Sequence, residues 1–140
     1  MQQLYTVGHA NATLPLVRRI VEDIVVNHQR WRERVLEFDL LASSVRADAP
    51  DDRATQLERQ AQALARDIDA FERELAALGI ALKDRRLGLI DFPAMLDGRE
   101  VWLCWRLGEP DIRFYHELDA GFGGRKPLAA PVEYQSPTHP

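Results

Sequence analysis

The chain has one cysteine, Cys104, in 140 residues, so no intramolecular disulfide can form and no multi-cysteine zinc cage can be built. Long apolar runs are missing too: none approaches the roughly 20 residues that cross a bilayer, and no membrane partner is expected. The opening residues MQQLYTVGHA carry neither a basic leader nor an apolar run ending in a small-residue cleavage site, so the expected location is cytoplasmic. Positive charge is in short supply, with 18 Lys and Arg against 22 Asp and Glu for a net charge of −4. That is the wrong sign for a chain that lives on phosphate backbones, so nucleic acid is not an expected partner. No complete catalytic motif occurs, and no Ser or Lys stands beside a recognisable activating partner. What is present is ordinary globular composition, 46% hydrophobic and 29% charged, at the length of a single domain.

The first half of the chain reads as helix. Leu14, Val17, Val21, Ile24, His28, Trp31, Val35, Phe38, Ala42 and Val45 recur at alternating steps of three and four, which keeps one stripe on one face. Ala54, Leu57, Ala61, Leu64, Ile68, Phe71, Leu75 and Leu78 repeat the pattern, and Gly79 supplies the stop. The link Arg46–Asp52 is short and holds Pro50, and Asp51 or Asp52 is placed to cap the second helix, so the two form a coiled-coil-like antiparallel hairpin. Pro15 fits the first turn if Thr13 is the cap, and kinks the helix if it begins at Thr6. Ile20, Val25, Leu36, Leu40 and Leu41 lie off the narrow stripe. A first helix apolar over more than one partner requires points to a homodimer through the hairpin.

From Ile80 the period changes to two. Asp97-Gly98 is a two-residue hairpin signal, and pairing across it puts Ile90, Phe92, Ala94 and Leu96 on one face with Val101, Leu103 and Trp105. Asp91, Pro93, Met95, Glu100, Trp102, Cys104 and Arg106 fall on the other face. A second turn at Gly108–Asp111 brings back Ile112–Leu118; if Leu107 opposes Ile112, then Phe114 faces Trp105 and His116 faces Leu103, on the core side. The expected fold is therefore α+β: a helical hairpin over 9–79 packed with a small antiparallel sheet over 80–120, a meander of about three strands. Together they make one domain over 1–128, with a proline-rich tail over 129–140 expected to be disordered.

Chemistry-bearing groups gather in the sheet half: Asp91, Glu109, His116, Glu117 and Asp119. Imidazole with carboxylates suits a divalent metal, and His116, Asp119 and Glu109 are the metal candidates, against the plainer reading of hydrogen-bonded turn carboxylates. Gly121, Gly123 and Gly124 with Arg125 and Lys126 form a turn able to surround an anion with N–H groups and cations. No helix follows it, so it is neither a P-loop nor a dinucleotide fingerprint. Candidate ligand or partner contacts are thus Asp91, Glu109, His116, Asp119, Gly123 and Arg125. Cys104, between Leu103 and Trp105, reads as an inert thiol, and His28 as a core histidine satisfied by hydrogen bonds. Two function classes follow. One is a non-enzymatic module that self-associates and binds a ligand or partner; the other is a metal-dependent enzyme or small-ligand or anion binder using the His116 and Asp119 end of the sheet.

The blocks ALKDRRLGLIDFPAMLDGREVWLCWRLGEP and FYHELDAGFGGRKPL, after the helix start TLPLVRRI, resemble the bacterial family catalogued as domain of unknown function 2203, over about Leu4 to Leu128. The likeness is most specific from Lys83 to Leu128, through residues such as Asp84, Gly88, Asp91, Pro93, Gly98, Cys104, Trp105, His116, Asp119, Gly121 and Arg125. Relatives show a threonine followed by acidic residues before the first helix, where this chain has Thr6-Val7-Gly8-His9 and so lacks the capping box. The resemblance implies a bacterial cytosolic protein and no particular activity.

Overall fold

A computed structural model describes residues 4–44 and 52–129. The expected link at 46–52, apart from Asp52, and the expected tail, apart from Ala129, lie outside them. Helix α1 spans Val7–Ser44 and helix α2 spans Asp52–Ala77. The start of α1 is set by Thr6, whose Oγ1 accepts the His9 amide at 3.0 Å, the N-cap half of a capping box without its acidic partner. The helix therefore begins two residues ahead of position 9 and runs on through Pro15. Proline has no N–H to give the Asn11 carbonyl, and the Asn11 side chain instead turns outward, its Oδ1 accepting the Ile112 amide at 2.8 Å. Arg34 Nε donates to Gln60 Oε1 at 2.8 Å and Arg53 Nη2 to Glu37 Oε2 at 2.8 Å, contacts that run the two helices antiparallel. Among the described residues no helix is long and apolar enough to cross a membrane.

The sheet has five antiparallel strands in the order β1 (Ala81–Asp84), β2 (Leu89–Leu96), β3 (Arg99–Arg106), β4 (Phe114–Glu117) and β5 (Lys126–Pro127), rather than about three. The two additional strands are too short to display a period: β1 has four residues and β5 two, one of them proline. Tyr5 adds a parallel bridge to Ala94, its amide donating to the Pro93 carbonyl at 2.7 Å. The β2–β3 register follows the Asp97-Gly98 turn, with Leu96 opposite Arg99, Phe92 opposite Leu103 and Ile90 opposite Trp105. Asp97 and Gly98 both have positive φ, 51° and 81°, as that turn demands.

The β3–β4 register differs by one residue from the expected one. Cys104 opposes Phe114, Leu103 opposes Tyr115 and Trp102 opposes His116, so Phe114 and His116 leave the core face and Tyr115 joins it. The cause lies in residues 107–113, which do not close as a tight hairpin. The Glu109 amide bonds back to the Arg106 carbonyl at 3.0 Å, and the Ile112 amide is spent on Asn11 of α1, so it does not pair with Leu107.

The core lies between the sheet and the sheet-proximal part of the hairpin. Phe92, Ile90, Val101, Leu103 and Trp105 are fully buried against Leu14, Val17, Val21, Ile24, Ile68 and Leu75. Trp105 satisfies its indole N–H on the Glu109 carbonyl at 3.1 Å. Ile20 is buried and Val25 packs against the same cluster, so the sheet covers part of the surplus apolar surface of α1. Between β1 and β2 the Asp84 carboxylate accepts the amides of Arg86 and Leu87 at 2.8 and 2.9 Å, and the turn ends at Gly88 with φ of 67°. A Cβ there would lie 2.8 Å from Leu107 Cβ and 2.9 Å from Val21 Cγ1, so the turn packs against α1 with no room for a side chain at Gly88.

Two stability predictions follow from this packing. Gly88→Ala adds both a disfavoured φ and a clash and should cost about 2 kcal/mol or more. Trp105→Ala should cost about 3–5 kcal/mol. Urea unfolding of the two variants checks both; losses below about 1 kcal/mol would contradict the close packing.

Candidate functional site

The one-residue change in register is what assembles the site. With His116 opposite Trp102, its side chain shares a face with Cys104 of β3 and Asp91 of β2, which oppose each other directly. All three are buried, Asp91 and His116 at 2% exposure each and Cys104 at 0%. A ligand atom from each lies within 4.8 Å of the other two, and among the described residues no other three His, Cys, Asp or Glu gather this closely. Three neighbouring strands, β2, β3 and β4, hold them.

Hydrogen bonding assigns the imidazole tautomer. His116 Nδ1 lies 3.0 Å from the Glu117 carbonyl oxygen, an acceptor only, so Nδ1 carries a hydrogen. His116 Nε2 lies 3.0 Å from Asp91 Oδ2, and one proton between nitrogen and carboxylate completes that bond. Asp91 Oδ1 is buried with no hydrogen-bond partner. Burial pushes the Asp91 carboxyl above its ordinary range, an effect partly offset by His116. The Cys104 thiol is pushed up to about 12, by burial first and then by the Asp91 charge, which keeps it protonated and unreactive at neutral pH.

Beside the cluster stands a second polar group. Arg125 Nη2 donates to Glu109 Oε1 at 3.0 Å and to the Cys104 carbonyl at 3.3 Å, while its guanidinium carbon sits 3.9 Å from the Phe114 ring centroid and 4.8 Å from that of Phe122. Glu109 Oε1 also accepts the Arg106 amide at 2.9 Å. The arginine is thus neutralised and stacked, with its charge turned inward to Glu109. In the glycine turn, the Gly124 and Arg125 amides bond to the Gly121 and Phe122 carbonyls at 2.9 and 3.1 Å, so neither amide is left to cradle an anion.

The structure therefore groups the candidate residues as Asp91 with His116 and Glu109 with Arg125. Asp119 is exposed and outside the cluster, and Gly123 sits exposed in the short 3-10 turn Phe122–Gly124. The proposed metal set of His116, Asp119 and Glu109 does not converge: His116 turns to Asp91, and Glu109 to Arg125. The pairing of Asp91 with Cys104 is legible from the Asp97-Gly98 turn, but His116 joins them only through the irregular β3–β4 connection. His28 is half-buried and its Nδ1 has no hydrogen-bond partner, so it is not the satisfied core histidine expected; it stacks on Trp31.

A second surface lies at the far end of the hairpin. Leu36 and Leu40, one turn apart on α1, are 61% and 64% exposed. Beside them a groove of about 220 Å³ between the helices is lined by Trp31, Val35, Phe38, Leu57, Ala61 and Ala65. A wider cleft of about 740 Å³ runs between the start of α1 and β4–β5, past Val7, Asn11, Leu96, Tyr115 and Leu128, and it contains no member of the buried cluster.

Residues 3–128 match a family described as an uncharacterized conserved protein, DUF2203. No curated protein and no solved structure matches the chain.

The buried thiol gives a direct check. At pH 8 an alkylating reagent should label Cys104 in the folded protein roughly a hundredfold or more slower than in the urea-unfolded chain, since a raised thiol pKa leaves little thiolate. Because the unfolded thiol ionises first, this group's contribution to stability falls as pH rises from the ordinary value of 9.0 toward about 12. Equal labelling rates would contradict the placement of Cys104.

Proposed function

For this chain, which belongs to the DUF2203 family, we propose a non-enzymatic binding module that self-associates through the far half of its helical hairpin. One observation carries the reading: the hairpin outruns the sheet that covers it. At about 1.5 Å per residue, the 38 residues of α1 extend about 57 Å, and its buried residues stop at Ile24. Farther along the hairpin, Trp31, Val35 and Phe38 remain half-covered while Leu36 and Leu40 face outward.

A two-helix layer needs a second layer to close its core. The hairpin of a second copy supplies two further helices with the same stripe, and together they make a four-helix bundle. Charge does not oppose the contact. Over residues 28–44, Arg30, Arg32 and Arg34 are balanced by Glu33, Glu37 and Asp39, so two copies meet without a field of one sign. The reading against an enzyme rests on the other end of the molecule, where the Arg125 guanidinium is paired with Glu109 rather than presented to a substrate.

Light scattering at high micromolar concentration should give twice the chain mass. Leu36→Glu and Leu40→Glu should each weaken the dimer by about 2 kcal/mol or more through lost apolar burial and a charge without a partner, leaving the monomer folded. A wild-type chain that remains monomeric under these conditions would overturn the proposal.

A further inference from the structure

We propose that Asp91, Cys104 and His116 bind a zinc-class divalent cation. The site is separate from the hairpin and does not depend on how the chain assembles. Four observations support it. The donor atoms are drawn from β2, β3 and β4 to within 4.8 Å of one another, close enough for small side-chain rotations to bring them around one ion. The His116 Nδ1 hydrogen is held by the Glu117 carbonyl at 3.0 Å, the arrangement that fixes a metal-binding imidazole and turns its other nitrogen to the ion. That other nitrogen points at Asp91. Asp91 Oδ1, buried and without a hydrogen-bond partner, has coordination capacity that the protein leaves unused.

The donor set selects the metal. One imidazole nitrogen, one carboxylate oxygen and one thiolate sulfur suit zinc, and its surrogate cobalt(II), better than magnesium or calcium, which take oxygen ligands. Charge agrees: one carboxylate and one thiolate neutralise the 2+ ion, with the imidazole neutral, so the buried centre carries no net charge. Binding releases two protons, the one held between Nε2 and Oδ2 and the one on the Cys104 sulfur. Three protein ligands leave a fourth position for a water or an exogenous donor.

Cobalt(II) titrated into the full chain, without a histidine tag, tests the site. One equivalent should produce a sulfur-to-cobalt charge-transfer band in the near ultraviolet, and zinc should displace it. Zinc should also raise the melting temperature of the wild-type protein. Cys104→Ser should abolish the sulfur band and weaken binding by roughly a hundredfold while its far-ultraviolet circular dichroism stays native, and His116→Ala should weaken binding similarly. Asp119→Asn should change nothing. A folded wild-type chain with no sulfur–cobalt band would overturn the proposal, as would an undiminished zinc-induced melting shift in folded Cys104→Ser.

Discussion

A single side-chain bond, from the Ile112 amide to Asn11 Oδ1 at 2.8 Å, stands at the centre of how this fold is put together. It ties the β3–β4 connection to α1 and takes from that connection the amide that a tight hairpin would have paired across to Leu107. Once the tight turn is lost, β4 meets β3 one residue out of the register it would have imposed, and every β4 side chain changes face. Tyr115 goes to the core side; Phe114 and His116 go to the side of Cys104 and Asp91. The buried polar cluster and the stacking of Arg125 on Phe114 both follow from that change. Asn11 reaches Ile112 because α1 begins at Val7, capped by Thr6, which places Asn11 inside the helix.

The molecule divides its work along the hairpin. Near the sheet, α1 is covered on two sides, by α2 and by the sheet, and residues such as Ile20 that seemed surplus are buried. Gly88 lets the sheet approach Val21 and Leu107 with no Cβ between them. Farther out only α2 remains, and the same heptad pattern leaves leucines in water. The periodic stripe is uniform along α1, but its burial is not.

Much of this was legible in the sequence, for physical reasons. The helices announce themselves because a stripe at steps of three and four persists over many turns, and the β2–β3 hairpin because Asp97-Gly98 fixes both its turn and its register. The Asp91–Cys104 pairing comes with that turn. The β1 and β5 strands escaped because so few residues carry no period, and the helix start because Thr6 caps without an acidic partner while Pro15 suggests a later beginning. The site's third member was hidden for a different reason. The face of His116 is decided by a contact between residues 101 positions apart, and no local pattern encodes it. His116 with Asp119 looked like a pair through nearness in sequence; the strand instead sends His116 inward and leaves Asp119 on the exposed turn.

The β3–β4 register is the claim on which the site depends, and nuclear Overhauser contacts of the His116 ring test it most directly. The account predicts cross-peaks from the imidazole protons to the β protons of Asp91 and Cys104. Cross-peaks from that ring to the methyl groups of Leu103 and the ring of Phe92 would place His116 on the core face and contradict it.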